Sequence, residues 1–186
     1  MTDFFALLQQ PRQPWLEPDP LKQRYQELTL AEHPDRKGAS ESTVDFAQVN
    51  EAYRVLADPK LRLQHLLQLS EIDPNLDQAI PEELLDLFTR IGSFVQKTDD
   101  LLPRVLATQN ALARSLIRSE IVAQAKEAEA LLEKTRRLYQ DAMEESRSLT
   151  ETWTGAPQRL VQLFRRFAYL TRWIQQLEER QFQLAV

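Results

Sequence analysis

The 186-residue sequence has no cysteine, only three glycines and only two histidines. Without thiols there can be no disulfide, no zinc knuckle and no thiolate-held cluster. The histidines, His33 and His65, stand far apart in sequence, and no Gly-rich loop is present to cradle a phosphate. These absences leave no nucleophile–base pair or ligand set, so neither an enzyme nor a bound metal or cofactor is expected. The carboxylate pairs Glu82-Glu83, Asp99-Asp100 and Glu178-Glu179 are sequence neighbours. Adjacent residues do not share a helix face, so these pairs read as solvated charge. No stretch approaches the roughly 20 apolar residues of a membrane span. The opening Met1-Thr2-Asp3-Phe4-Phe5 carries an early acid and no basic run. A cytoplasmic protein that does not engage a membrane is the expectation. The formal net charge is −5, and no concentrated basic field exists to displace phosphate counterions. Nucleic acid is therefore not an expected partner.

What is present favours helix. Leu, Gln, Glu, Arg and Ala dominate, residues that lose little freedom in a helix, and alternating Val, Ile and Thr runs are missing. The fold class expected is all-α. Of the ten prolines, all but Pro103 and Pro157 fall at or before residue 81, which predicts a many-turned N-terminal unit followed by long helices. A short helix over about Asp3 to Gln9 precedes a Pro-rich loop. Pro20 suits the first turn of a second helix carrying Leu21, Tyr25 and Leu28. That helix should stop near His33, because Pro34 disfavours the α conformation before it. The polar stretch Pro34 to Ser42 reads as a loop. Phe46, Val49, Ala52, Tyr53 and Leu56 mark a third helix, ended by Asp58-Pro59, and a fourth runs from Leu61 to near Leu69. The boundaries expected are a first domain at 1–70, a linker at 71–81 and a second domain at 82–186. In the second domain Leu84, Leu85, Phe88, Ile91 and Val95 repeat at helical intervals. A long stretch from near Asp100 to Thr150 opens with Pro103, and a last helix follows the break at Gly155-Ala156-Pro157. Three amphipathic segments predict an antiparallel, coiled-coil-like three-helix bundle.

The order helix, Pro-rich loop, helix, His33-Pro34-Asp35, loop, helix, Asp-Pro resembles the J-domain. The second helix reads LKQRYQELTLAEHPDR and the third FAQVNEAYRVLADP. The resemblance implies a binding module that stimulates a DnaK/HscA-type ATPase chaperone through the exposed His33, Pro34 and Asp35, doing no chemistry itself. Asp35 would meet a basic residue of the chaperone, a directional, charge-assisted contact. Lys22, Arg24, Arg36 and Lys37 are the basic residues implied for the chaperone's acidic surface. Glu27 and Glu32 oppose them, and Glu32 replaces the tyrosine common before this turn, so steering should be weak.

LKQRYQEL, and LRLQHLLQLSEID after the Asp-Pro, are similar to the HscB-type (Jac-type) iron–sulfur co-chaperones. The likeness is specific from Met1 to near Asn75 and looser beyond. It implies a C-terminal bundle that holds an IscU-type scaffold protein, with Leu84, Leu85, Phe88 and Phe167 as the implied contacts. Arg165 and Arg166 fall near the same place. The family's acids one and four residues after Phe88 are Thr89 and Gly92 here, and a second register uses Leu112, Leu116 and Glu120. An adaptor for a different client is the competing reading. Geometry within the first bundle helix separates client from core. Leu84, Phe88, Ile91 and Val95 form one stripe, and Leu85 lies about 100° from Leu84, so Leu85, with part of Phe88, is the expected exposed element. His65 reads as a half-buried packing residue.

Overall fold

The computed structural model describes residues 2–31, 46–73, 79–107 and 111–185, and every regular element among them is helical. The described residues divide into two compact units, one of residues 1–78 with 143–164 and the other of 79–142 with 165–186. Residues 143–164, expected in the C-terminal domain, thus pack with the N-terminal one.

The first unit opens with α1 (Phe4–Leu7), whose N-terminal amides of Phe5 and Ala6 donate to the Asp3 carboxylate. Capping of this kind satisfies donors that have no partner inside the helix. α2 spans Pro18–Ala31, α3 Phe46–Ala57 and α4 Pro59–Leu69. Asp58 caps α4 by accepting from the Leu61 amide, and Pro59 sits in the first turn, where its missing N–H costs nothing. α3 packs against α1, α2 and α4, and it buries Val49, Ala52, Val55 and Leu56. Leu21 lies beside Ala57 while Tyr25 meets Asn50, so α2 and α3 run antiparallel. The Tyr25 hydroxyl donates to Asn50 Oδ1 at 2.7 Å, and the Tyr25 and Tyr53 rings stack at 4.3 Å.

In the same unit the Pro14 carbonyl gathers two donors, Arg62 Nε and Ser146 Oγ, each at 2.9 Å. Arg62 is buried and also donates to the Leu56 carbonyl at 2.6 Å. Arg147 pairs with Glu17 at 3.2 Å. These contacts hold residues 143–164 to the Pro-rich loop.

The second unit contains α5 (Leu85–Ala107), the greater part of α6 (Ala111–Ser148) and of α7 (Pro157–Ala185), with a 3-10 turn at Glu82–Leu84 before α5. Its core includes Leu84, Leu87, Ile91, Phe94, Leu131, Leu170, Trp173 and Leu177. Ion pairs set the helix directions. Lys134–Asp86, Arg90–Glu127 and Arg104–Glu120 run α6 antiparallel to α5. Arg166–Glu83 and Arg180–Asp99 run α7 parallel to α5. An up-down-up bundle results, as the three amphipathic patterns require. The buried stripe differs from the expected one, being Leu84, Leu87, Ile91 and Phe94 instead of Leu84, Phe88, Ile91 and Val95. Pro103 also differs. It lies inside α5, which is described as far as Ala107, instead of opening the next helix. Buried Leu101 and the Arg104–Glu120 pair hold the last turns of α5 despite the carbonyl that a mid-helix proline leaves without its N–H partner.

Candidate functional site

His33, Pro34, Asp35, Arg36 and Lys37 lie outside the described residues. Lys22 and Arg24 are described, on α2. Lys22 is exposed and pairs with no acid among the described residues. Arg24 Nη1 is 3.1 Å from Glu27 Oε2, one turn on, and Gln23 donates to the other Glu27 oxygen at 3.1 Å. Glu27 thus draws off part of the charge of Arg24. The platform beneath these residues is firm, because Leu21 is buried and the Tyr25 pair to Asn50 and Tyr53 fixes how α2 sits on α3. Helical spacing marked Tyr25 and Tyr53 as core-facing. The role of Asn50 was hidden, since only the register between the two helices brings it under the tyrosine hydroxyl.

His65 is buried and its Nε2 accepts from the Phe4 amide at 3.1 Å. Its ring stacks on Phe4 and Phe5, with centroids at 4.7 and 5.7 Å. Burial pushes its pKa below the usual 6.5, Asp3 opposing this and Arg12 adding to it. A neutral imidazole spent as an acceptor for α1 is a packing element. Among the described residues no group of three or more His, Asp or Glu side chains is placed to hold a metal ion. No described helix is long and apolar enough to cross a membrane.

In the second unit the expected client residues separate. Leu85 and Phe88 are 48% and 47% exposed, whereas Leu84 and Phe167 are fully buried. Leu84 and Phe167 are therefore core residues and not surface contacts, a correction to the sequence reading. Leu84 faces inward from the 3-10 turn, and Phe167 packs edge-on against Tyr139 at 5.2 Å. The ring of Phe88 leans on Trp173 at 6.3 Å, leaving its other face to solvent. In the second register Leu112 is exposed, Glu120 pairs with Arg104, and the Leu116 side chain lies outside the described ones. Arg166 Nε is 3.5 Å from Glu83 Oε1. Exposed Gly92 lies one turn after Phe88, and exposed Arg172 precedes Trp173, on which Phe88 leans. The sequence named Gly92 only as a position where the related family carries an acid, and did not single out Arg172. The available signal was that Gly92 is the lone glycine in α5.

Comparison with known proteins bears on these surfaces. Residues 3–65 match the DnaJ domain family, a span that includes both described basic residues of α2 and the His-Pro-Asp sequence. The co-chaperone protein HscB of Proteus mirabilis is 29% identical over 186 residues, covering 97% of this chain and 98% of that protein. The co-chaperone protein HscB homolog of Shewanella woodyi is 36% identical over 77 residues, 38% of this chain and 44% of that protein. Among solved structures, the chaperone HscB from Vibrio cholerae superposes with a TM-score of 0.55 at 19% identity, covering 98% of this chain and 99% of that one. That last likeness is one of fold.

Proposed function

Starting from a J-domain protein that resembles the HscB-type co-chaperones along its length, we propose that this chain is a co-chaperone of a DnaK/HscA-type ATPase in iron–sulfur cluster assembly. Its His33-Pro34-Asp35 sequence stimulates ATP hydrolysis by the chaperone. Lys22 and Arg24 on α2, with Arg36 and Lys37 beyond it, meet the chaperone's acidic surface. The second unit brings an IscU-type scaffold protein through Leu85 and Phe88, and the pair works in the cytoplasm. The observation that carries this reading is the DnaJ match over residues 3–65, joined to a relative aligned over almost the entire chain. Exposed Leu85 and Phe88 support the client assignment, since large apolar side chains left in water on a well-packed helix commonly mark a binding patch. The J-domain acts by biasing its partner toward the state that hydrolyses ATP, which requires binding but no catalytic group of its own. A tagged full chain expressed in its native host should retain both a DnaK-type chaperone and a scaffold protein, identified by mass. Retention of the chaperone with a different client would favour the adaptor reading. Thr89 and Gly92, standing where the related family carries acids, are the observation on that side.

A further inference from the structure

Three observations converge on one strip of the second unit. Gly92 lies within α5, is exposed, and a Cβ built on it meets nothing within 4 Å. Its φ is not positive, so the backbone does not require glycine either. A glycine in a helix interior weakens the helix relative to alanine, and no close approach among the described residues accounts for that loss. Phe88 and Leu85 come four and seven residues before Gly92, on the same face, and both are about half exposed. The third observation is charge. Phe88 against Trp173, and Arg180 at 2.9 Å from Asp99, mark residues 173 and 180 as the side of α7 that faces α5. Arg172 sits about 100° around the helix from Trp173, on the side away from buried Leu170 and Leu177. It therefore borders the strip from solvent. Among the described residues no carboxylate pairs with Arg172, and Thr89 and Gln96 on the α5 border are uncharged.

We propose that this strip docks an acidic partner segment that approaches the α5 backbone closely at Gly92. An apolar side chain of the partner lies on Phe88 and Leu85, and a carboxylate meets Arg172. The absent Cβ lets the partner's backbone or a small side chain come within contact distance of the helix. A bare guanidinium at the edge of an apolar patch selects negative charge and penalises positive charge. The inference rests on Leu85 and Phe88 forming the client surface, and adds to it the sign of the partner's charge and the point of closest approach.

The test uses the full chain and two synthetic helical peptides with the same leucine face, one flanked by glutamates and the other by lysines. A purified IscU-type scaffold is measured in parallel. Fluorescence anisotropy should show the glutamate peptide binding, and NMR of the labelled chain should show amide shifts clustered at Leu85, Phe88, Gly92 and Arg172. Arg172→Glu should weaken that peptide about tenfold and favour the lysine peptide. Gly92→Ala should raise the melting midpoint by a few degrees while weakening the glutamate peptide about fivefold or more. Opposite signs in stability and binding are what a purely helical role for Gly92 cannot produce. Equal binding of both peptides, or Gly92→Ala binding as the wild type does, overturns the proposal. If the strip takes the glutamate peptide and the wild type ignores the scaffold, the strip stands and the scaffold assignment fails. If the scaffold binds and neither Gly92→Ala nor Arg172→Glu affects it, the strip is overturned and the scaffold docks elsewhere.

Discussion

At the level of single residues, His65 and Asp3 anchor the same short helix and respond to acid in different windows. The native fold holds His65 neutral, its pKa pushed below 6.5 first by burial. The unfolded chain binds this proton more readily, so stability falls as pH drops below about 6.5 and levels off once the folded pKa is passed. Asp3 behaves differently. Burial opposes its ionisation, but the Arg12 pair at 2.6 Å and the Phe5 and Ala6 amides outweigh that and hold its pKa below 3.8. Its contribution is present above that value and is lost as pH falls through the lowered pKa. His65→Phe should flatten the pH dependence of urea stability just below about pH 6.5, leaving the loss tied to Asp3 at lower pH in place. An unchanged slope in the upper window would show that burial does not hold the imidazole neutral. Arg62 is a second residue-scale case. Its burial was illegible in the sequence, because an arginine on an amphipathic helix ordinarily points to water. Here the Pro14 and Leu56 carbonyls accept its donors, and the guanidinium carbon lies 6.0 Å from the centre of the Trp15 ring. Arg62→Ala should cost about 3 kcal/mol of folding free energy in chemical denaturation, from lost charge-assisted hydrogen bonds and lost packing.

At the level of elements, α5 and the turn before it carry a core stripe beside the proposed client face, and a shift of a single residue, about 100° around the helix, separates the two. Leu84→Ala removes a fully buried side chain and should cost about 2–5 kcal/mol of stability. Leu85→Ala should leave melting nearly unchanged and weaken client binding by about 1–2 kcal/mol. The reverse pattern, measured by calorimetry on both variants, would place Leu85 in the core. The sequence showed that this helix is amphipathic and that Leu85 sits off the stripe. It did not separate Phe88 from Leu87 or Val95 from Phe94, because α5 is flanked by both α6 and α7 and its core centre lies between them. Phe167 was misplaced for the same reason, since its position on α7 points into the bundle beside Tyr139. Pro103 is exposed near the end of α5. A sequence rule that stops helices at proline misses it, because tertiary packing of Leu101 continues the helix through a penalty of about 3 kcal/mol. Pro103→Ala should therefore stabilise the second unit by about 1–3 kcal/mol, read as a higher melting midpoint.

At the level of the whole molecule, composition and the His33-Pro34-Asp35 context made the all-α class and the J-domain legible, and the DnaJ match over residues 3–65 agrees with that reading. Residues 143–164 joining the first compact unit was not legible, since it depends on Ser146 and Arg62 meeting the one carbonyl of Pro14. Local sequence records no sign of such a long-range node. The proposed output of the chain is kinetic and appears in another protein. Its most direct test is single-turnover ATP hydrolysis by the host's DnaK-type chaperone, with the full-length wild type, His33→Gln and Asp35→Asn. The wild type should accelerate hydrolysis, and both variants should lose that acceleration while keeping their helical content and melting midpoint. Undiminished acceleration by both variants would contradict the assignment of the chaperone switch to this tripeptide.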